Sequence, residues 1–487
     1  MKQLKDILYK VSVNAVYGDT NIEVSQVIFD SRKVQKGDVF VAQKGVTVDG
    51  HLYIEKAIGL GATAVVCEDL PNNRIDGVTY VQVQDSNETL AIIASNFYDN
   101  PSSKLHLVGV TGTNGKTTIA SLLFQLFQKA GYKTGLLSTV KVVVNQKEYP
   151  ATHTTPDSVT INQYLDKMVE AGVDYCFMEV SSHGIHQKRT EGLEFAGGIF
   201  TNLSHDHLDY HNTFAEYRDV KKIFFDSLPK SAFALTNLDD KNGLIMMQNT
   251  KAKKRTYALK TLADYKAKII EKRFSGTLLS IDGIEVWTKL IGTFNAYNLL
   301  AIVGTANELG LDKFEVLTIL SELESVSGRF QYIVSENGVT AIVDYAHTPD
   351  ALKNVLETIN DIRTDNEKLI TVVGCGGDRD KTKRPKMAHI ASQLSNQAIF
   401  TSDNPRTENP DTILKEMESG VSPENYKKTL TIQDRRQAIK TACKFSVSGD
   451  ILLIAGKGHE TYQEINGERF HFDDLEEVTQ CFNLLKK

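Results

Sequence analysis

The stretch at residues 109–118, GVTGTNGKTT, constrains this chain more than any other. It follows an apolar run at 105–110. After it, Ile119, Leu122, Leu123, Leu126, Phe127 and Ala130 recur at i, i+3, i+4, i+7, i+8 and i+11. That spacing predicts a helix with one apolar face, ended by Gly131. A strand, a glycine-bearing loop and a helix start together make an anion site. Gly112 and Gly115 let backbone N–H groups converge, and the helix N-terminus adds its positive end. Lys116 can neutralise β- and γ-phosphates, and Thr117 can ligate Mg²⁺. The pattern departs from G-x-x-x-x-G-K-[ST]: Val110 holds the first glycine position, and Gly109 stands one residue early.

With 487 residues, the chain has room for about three domains. Its composition, 41% hydrophobic and 24% charged, excludes a disordered chain. The net charge of −6 disfavours nucleic-acid binding, because no basic excess exists to release counterions. No apolar run reaches about 18 residues, and the N-terminus MKQLKDILYK has no signal-like apolar core, so a cytoplasmic location without membrane contact is expected. The cysteines at 67, 176, 375, 443 and 481 lack zinc-ligand spacing and form no obvious disulfide framework. Cys375, between two glycines, reads as a small residue in a tight loop rather than a nucleophile, since no base stands beside it.

Strands are expected at 24–29, 37–42 and 63–67, with helices at 51–61 and 86–98. Ser31, in the polar turn Asp30-Ser31-Arg32, is either a turn former or a ligand contact. The breakers Asn100-Pro101-Ser102-Ser103 close this first unit. Beyond the phosphate loop a strand is expected at 134–139, and the loop THTTPDS at 152–158 can cap a helix starting near Val159. A buried strand at 173–180 carries Glu179 near its C-terminal end, where open α/β sheets bind ligands. Glu179 is a Mg²⁺ ligand or an edge-exposed acid. His205, His207, Asp209 and His211 raise a zinc reading. Their spacing opposes it, because Tyr210 separates Asp209 from His211, and a nearby phosphate loop favours Mg²⁺ and oxygen ligands. In a helix at 214–228, Lys221 and Lys222 read as solvated charges. Asn295 and Asn298 stand before an apolar helix as N-caps or as amides that read a purine edge. Arg329 meets a phosphate or is a surface charge.

Strands at 339–344, 368–373, 398–401 and 450–455 lead into YAHTPD, GCGGDRDKTKRP, SDNPRTENP and GKGHETYQ. Strands alternating with helices, and polar loops at strand ends, describe a doubly wound parallel sheet. The expected fold class is α/β in three domains: a small α/β unit at 1–102, a central phosphate-loop α/β unit at 103–331, and a C-terminal Rossmann-like doubly wound unit at 332–487.

Nine ordered runs, TGTNGKTT, THTTPDS, EVSSHGIHQKR, TNLSHDHLDYH, SGRFQ, VDYAHTPD, GCGGDRDK, DNPRTENP and AGKGHETYQ, span the chain. Together they resemble the Mur ligase family, and within it the branch that adds the third residue of the peptidoglycan stem peptide. The N-terminal pattern Asp30-Ser31-Arg32, GDVFVA, Asp49-Gly50-His51 is similar to that family's uridine-diphosphate domain. The resemblance implies an ATP-dependent ligase that acts on UDP-MurNAc-L-Ala-D-Glu with Mg²⁺ and is expected to be a monomer. It assigns Gly112, Thr113, Asn114, Gly115, Lys116, Thr117, Thr118, Asn295, Asn298, Arg329, Asp344 and His347 to ATP. Thr117, Glu179, His207 and Lys221 would serve the metal sites, Lys221 as a carbamate formed with CO₂; Lys222 is the one-residue alternative. Ser31, Thr154, Thr155, Ser182, Gln187 and Arg189 would hold the UDP-MurNAc-dipeptide. Arg379, Asp403, Asn404, Pro405, Arg406, Gly456 and Glu460 would meet the incoming amino acid.

The run DNPR resembles the form specific for meso-diaminopimelate. Arg406 can grip the distal carboxylate bidentately, and Glu460 can pair with the distal ammonium. A lysine-selecting enzyme would want no arginine there, since like charges repel; L-lysine or another diamino acid is the alternative substrate. The mechanism implied is attack of the D-Glu γ-carboxylate on ATP, an acyl phosphate, then attack by the amine. His205, His211 or a water would deprotonate that amine. Rival readings are a sibling such as folylpolyglutamate synthase, a non-catalytic ATP-binding regulator and a zinc hydrolase.

Overall fold

The computed structural model describes the chain except residues 46–47, 205, 207–209, 212, 365 and 486–487. Three larger sheets follow one another along the sequence. The first is five-stranded, in the order Val13–Tyr17, Thr79–Val83, Ala64–Cys67, Val39–Val41, Val27–Ile28, and is parallel apart from its antiparallel first strand. The strand expected at 24–29 is two short pieces, Glu23–Val24 and Val27–Ile28, which pair with different partners.

The second sheet has 11 strands. Its parallel part runs from Thr134–Leu137 through Tyr175–Glu179, His106–Thr111, Gly197–Phe200, Phe233–Asn237 and Lys253–Ala258 to Tyr265–Arg273. From His106–Thr111 the chain first builds one way, to Thr134–Leu137 and back to Tyr175–Glu179, then continues on the other side with Gly197–Phe200. The phosphate-loop strand therefore lies at the point where strand order reverses, the place where such sheets open a ligand crevice. Side chains alternate between the two faces as the strand period demands. Val108, Val110, Tyr175 and Phe177 join one buried cluster, and Leu107, Cys176 and Met178 join the other.

The expected helix after the loop is Lys116–Lys129, and Gly131 follows at φ 91°. Ile119, Leu122, Leu123, Leu126 and Phe127 are buried against the first cluster, each burial stabilising by about 1.5–3 kcal/mol. The helix Thr293–Glu308 packs on the same face. It begins two residues before Asn295, so Asn295 and Asn298 lie inside it and are not its N-caps; Gly292 flanks its start. The antiparallel strands Gly276–Ile281 and Ile284–Thr288 extend the sheet beyond the parallel part and had no sequence reading.

The third sheet is six-stranded, ordered Gln331–Val334, Thr340–Asp344, Ile451–Ala455, Leu369–Cys375, Gln397–Ser402, Thr429–Thr431. It is parallel except for its first strand, with buried clusters on both faces. Among the described residues, no helix is long and apolar enough to cross a membrane.

Candidate functional site

The loop between His106–Thr111 and Lys116–Lys129 is stitched to the neighbouring strand end. Thr113 N donates to the Asn202 carbonyl (2.8 Å), Asn114 N to Asn202 Oδ1 (3.0 Å), and Thr201 Oγ1 to the Asn114 carbonyl (2.6 Å). At Gly112, φ is 146° and an added Cβ would stand 1.9 Å from Thr201 Oγ1, so only glycine fits this turn. Lys116 Nζ folds back over the loop to the carbonyls of Gly112 (2.9 Å) and Thr113 (2.8 Å), and burial pulls its ammonium below the ordinary range.

Register places Glu179 opposite Val110, beside the loop. Glu179 is buried, not edge-exposed. Its Oε2 accepts from Thr117 Oγ1 (3.0 Å) and its Oε1 from Thr139 N (2.7 Å). From the helix Phe214–Asp226, Lys221 enters the same space. Its side chain is 1% exposed, and Nζ lies 3.0 Å from the Gly112 carbonyl and 3.5 Å from Thr111 Oγ1. Burial, with Lys116 adding repulsion, drives it well below a lysine's usual value. Lys222 points elsewhere and pairs with Asp226 at 2.6 Å. Reading both lysines as solvated charges therefore fails for Lys221, whose position in phase with Tyr217 and Phe224 puts it on the inward face. His205, His207 and Asp209 lie outside the described residues.

Residues expected to hold the UDP-linked substrate converge on the Glu179 strand end. Thr155 Oγ1 donates to the Glu179 carbonyl (2.9 Å) and accepts from Ser181 N (2.9 Å). Arg189 donates to the Thr155 carbonyl (2.6 Å) and twice to Gln187 Oε1 (3.0 and 2.7 Å). Thr154 takes a hydrogen bond from Thr139 (3.1 Å). The buried Ser182 hydroxyl has no protein partner among the described residues. Ser31 is buried, and no hydrogen bond among the described residues links it to this network.

Among the described residues, two hydrogen bonds join the loop and its helix to the chain flanking the third sheet: Arg329 Nη2, ahead of its first strand, donates to Thr117 Oγ1 (3.2 Å), and Asn114 Nδ2 donates to Asp350 Oδ2 (3.1 Å) in the helix Pro349–Ile362. Arg329 is stacked over Tyr345 (4.4 Å), and its buried Nε has no protein partner among the described residues. It is thus no surface charge. Asp344, pushed up to about 6 by burial, accepts from Phe330 N (2.6 Å). His347 rests on the Tyr345 carbonyl (2.8 Å), and burial holds it near 4, neutral at pH 7. Asn298 donates to Asn295 Oδ1 (3.0 Å), and Asn295 to the Ile291 carbonyl (2.8 Å). An added Cβ on Gly115 would stand 2.7 Å from Asn298 Oδ1.

A second polar cluster gathers at the carboxyl ends of the third sheet's parallel strands. Asn404 Nδ2 donates to Glu460 Oε2 (2.8 Å), and Lys457 Nζ reaches Asp403, Asn404 and Glu460. Arg406, at φ 52°, donates Nη1 to the Gly377 carbonyl (2.7 Å). Such a left-handed conformation costs a non-glycine residue energy and recurs at ligand clamps. Pro405 and Gly456 are buried beside the cluster, whereas Arg379 is exposed outside it. Cys375 is buried with its thiol pushed up to about 12, which leaves it unreactive. Sequence reasoning missed Lys457, Tyr345 and Asp350. The signal for Lys457 was its place between Gly456 and Gly458, directly after a wholly apolar strand.

Residues 23–98 match the model for "Mur ligase family, catalytic domain", 110–306 the "Mur ligase middle domain" and 328–458 the "Mur ligase, glutamate ligase domain". A Cytophaga hutchinsonii protein named UDP-N-acetylmuramoyl-L-alanyl-D-glutamate–2,6-diaminopimelate ligase is 57% identical, over 100% of both chains. A Geobacillus kaustophilus protein of the same name is 43% identical, over 94% of this chain and 95% of its own. A solved structure of a ligase with that name superposes with TM-score 0.70 at 31% identity, covering 100% of this chain and 99% of the other.

Proposed function

This chain belongs to the Mur ligase family, and from that premise we propose that it joins meso-diaminopimelate to the D-Glu γ-carboxyl of UDP-MurNAc-L-Ala-D-Glu at the expense of ATP. The observation that carries this reading is the bridge from Arg329 and Asp350 to the phosphate loop. It ties the chain around the third sheet, which also carries Asp403 and Glu460, to the phosphate loop, in keeping with two consecutive transfers.

The proposed course begins with the γ-carboxylate attacking the γ-phosphorus of ATP; ADP leaves and an acyl phosphate forms. The amine of diaminopimelate then attacks the acyl carbon, phosphate leaves and an amide remains. Lys116, Arg329 and the loop N–H groups offset the charge that builds on the transferred phosphoryl group. Thr154, Thr155, Ser182, Gln187 and Arg189 hold the dipeptide end of the acceptor, with Ser31 on its nucleotide. Asn295, Asn298, Asp344 and His347 line the ATP side. Arg406, Asp403, Asn404 and Glu460 take the distal end of diaminopimelate, with Arg379 at the rim.

Mg²⁺ fits the donor set at the loop. Thr117 Oγ1 and Glu179 Oε2 are hard oxygen donors 3.0 Å apart at a strand end, the kind of site that leaves further positions to phosphate and water. Mg²⁺ bound there would lessen the repulsion between carboxylate and triphosphate. Lys221, driven toward its neutral amine, is suited to take up CO₂ as a carbamate. His207 is proposed as a further ligand from the family pattern. We also propose units at 1–102, 103–331 and 332–487 acting as a cytoplasmic monomer.

The test measures ADP release with each substrate omitted in turn, over meso-diaminopimelate, L-lysine and L-ornithine. Release is expected only with both the UDP-MurNAc-dipeptide and meso-diaminopimelate present. Preference for lysine would sink the Arg406 argument, and turnover without nucleotide would sink the ligase reading.

A further inference from the structure

We propose that Lys457 is a positioning residue of the amino-acid site, its ammonium fixing Asp403, Asn404 and Glu460 as one constellation. The inference rests on the reading of that cluster as the diaminopimelate site. The Lys457 side chain is 0% exposed. Its Nζ lies 3.3 Å from Asp403 Oδ1, 3.0 Å from Asn404 Oδ1 and 3.4 Å from Glu460 Oε2. Three acceptors match the three donors of an ammonium. The three acceptors come from two different strand ends, those of Gln397–Ser402 and Ile451–Ala455, so one buried cation ties the two loops together.

Lys457 also fixes the Asn404 amide. Asn404 Oδ1 accepts from both Lys457 and Glu464 N (2.9 Å), which leaves Nδ2 to face Glu460 at 2.8 Å. A flipped amide would set its NH₂ against two donors. With the amide fixed, the Glu460 carboxylate has a defined direction, to which Tyr345 OH adds a contact at 3.4 Å.

Electrostatics give the residue a second task. Burial opposes the charge on Asp403, but Lys457, Arg435 and Arg406 outweigh it and hold the carboxyl below its usual range. Burial and the Asp403 charge push Glu460 up, with Lys457 opposing; the Tyr345 and Tyr462 hydroxyls face it as well. Two buried carboxylates this close keep both charges only with a cation between them. An incoming ammonium needs both ionised. Remove Lys457 and both carboxyls hold a proton to higher pH, so binding fails earlier as pH falls.

The test is initial-rate kinetics of the full chain carrying Lys457→Met or Lys457→Arg. For Lys457→Met, KM for meso-diaminopimelate should rise at least about tenfold, as for a buried pair that loses one partner. The acid limb of kcat/KM for that substrate should move up by about one pH unit. KM values for ATP and the UDP-linked substrate should stay within about twofold, since neither touches the cluster. Lys457→Arg keeps the charge and should fold; its acid limb should remain at the wild-type pH, while KM for meso-diaminopimelate rises because a planar fork cannot reach three converging acceptors. An unshifted acid limb in Lys457→Met, or an unchanged KM in Lys457→Arg, would overturn the proposal. So would a uniform rise in all three KM values. A wild-type enzyme that ignores meso-diaminopimelate would instead overturn the functional reading beneath it.

Discussion

A lysine ammonium shut away from water at the Gly112 carbonyl, with a second lysine repelling it, is an unfavourable charge. At Lys221 the fold bears that cost in the helix Phe214–Asp226, one residue from Lys222 and its ordinary i,i+4 pair with Asp226. The unfavourable charge makes sense if the side chain works as an amine that has taken up CO₂. Lys221→Ala should then lower the rate by about 10²–10³-fold, the size of losing one preorganised electrostatic group, with partial recovery on adding short carboxylates. Lys222→Ala should change the rate less than about twofold, because i,i+4 pairs contribute only a few tenths of a kcal/mol. Equal losses in the two variants would remove the distinction. The phase of Lys221 with Tyr217 and Phe224 was legible in the chain, but a general preference for solvated lysines masked it. Lys457 was hidden for the opposite reason: its partners come from strand ends that the sequence lists some 50 residues apart, and only the sheet order brings them together.

The loop containing Gln187, Lys188 and Arg189 shows what a single element adds. Lys188 has φ 54°, a left-handed turn that sends its side chain away from its neighbours. Gln187 and Arg189 bond to each other beside Thr155, while Lys188 crosses to the first unit and pairs with Asp85 (2.9 Å) and Glu88 (2.5 Å). Asp85 also caps the helix Ser86–Phe97 through Glu88 N (2.9 Å). The N-terminal unit, proposed to hold the uridine end, and the loop proposed to hold the dipeptide are thus pinned together. Lys188→Ala should raise KM for the UDP-linked substrate by about two- to fivefold, the scale of a half-exposed ion pair, with KM for ATP unchanged. The wild-type KM should climb with salt toward the variant's value; a salt-independent wild type would argue against the pair. Element by element, the chain was legible where one period dominated: the phosphate-loop strand and helix, and the apolar strands of the third sheet. It was not legible at 253–288, where the strands Lys253–Ala258, Tyr265–Arg273, Gly276–Ile281 and Ile284–Thr288 mix polar and apolar residues and gain their order by pairing along the sheet edge.

For the whole molecule the decisive region is the junction between the second and third sheets, where Gly328 and Arg329 precede the strand Gln331–Val334. Gly328 has φ 66°, and an added Cβ would stand 2.1 Å from His459 N and 2.3 Å from the Gly458 carbonyl carbon. The junction therefore packs backbone to backbone against the loop that holds Lys457 and Glu460. One residue on, Arg329 reaches Thr117 of the phosphate loop. Two adjacent residues thus touch both the proposed ATP side and the proposed amino-acid side, and the spacing between the two polar clusters follows from that close approach. A methyl group at residue 328 cannot be relieved by rotating a side chain, since both blocking atoms are backbone, so the loop or the junction must move. Gly328→Ala should raise KM for ATP and for meso-diaminopimelate together, by about tenfold or more where a displacement near 1 Å separates reacting groups. KM for the UDP-linked substrate should stay close to wild type, because the residues proposed to hold it, Thr155 and Arg189 among them, bond to one another and to the Glu179 backbone rather than to residue 328 or 329. Parallel loss at two sites with the third preserved is a pattern that general destabilisation would not produce. If only one of the two constants moved, the clusters would be independent and the junction a mere linker.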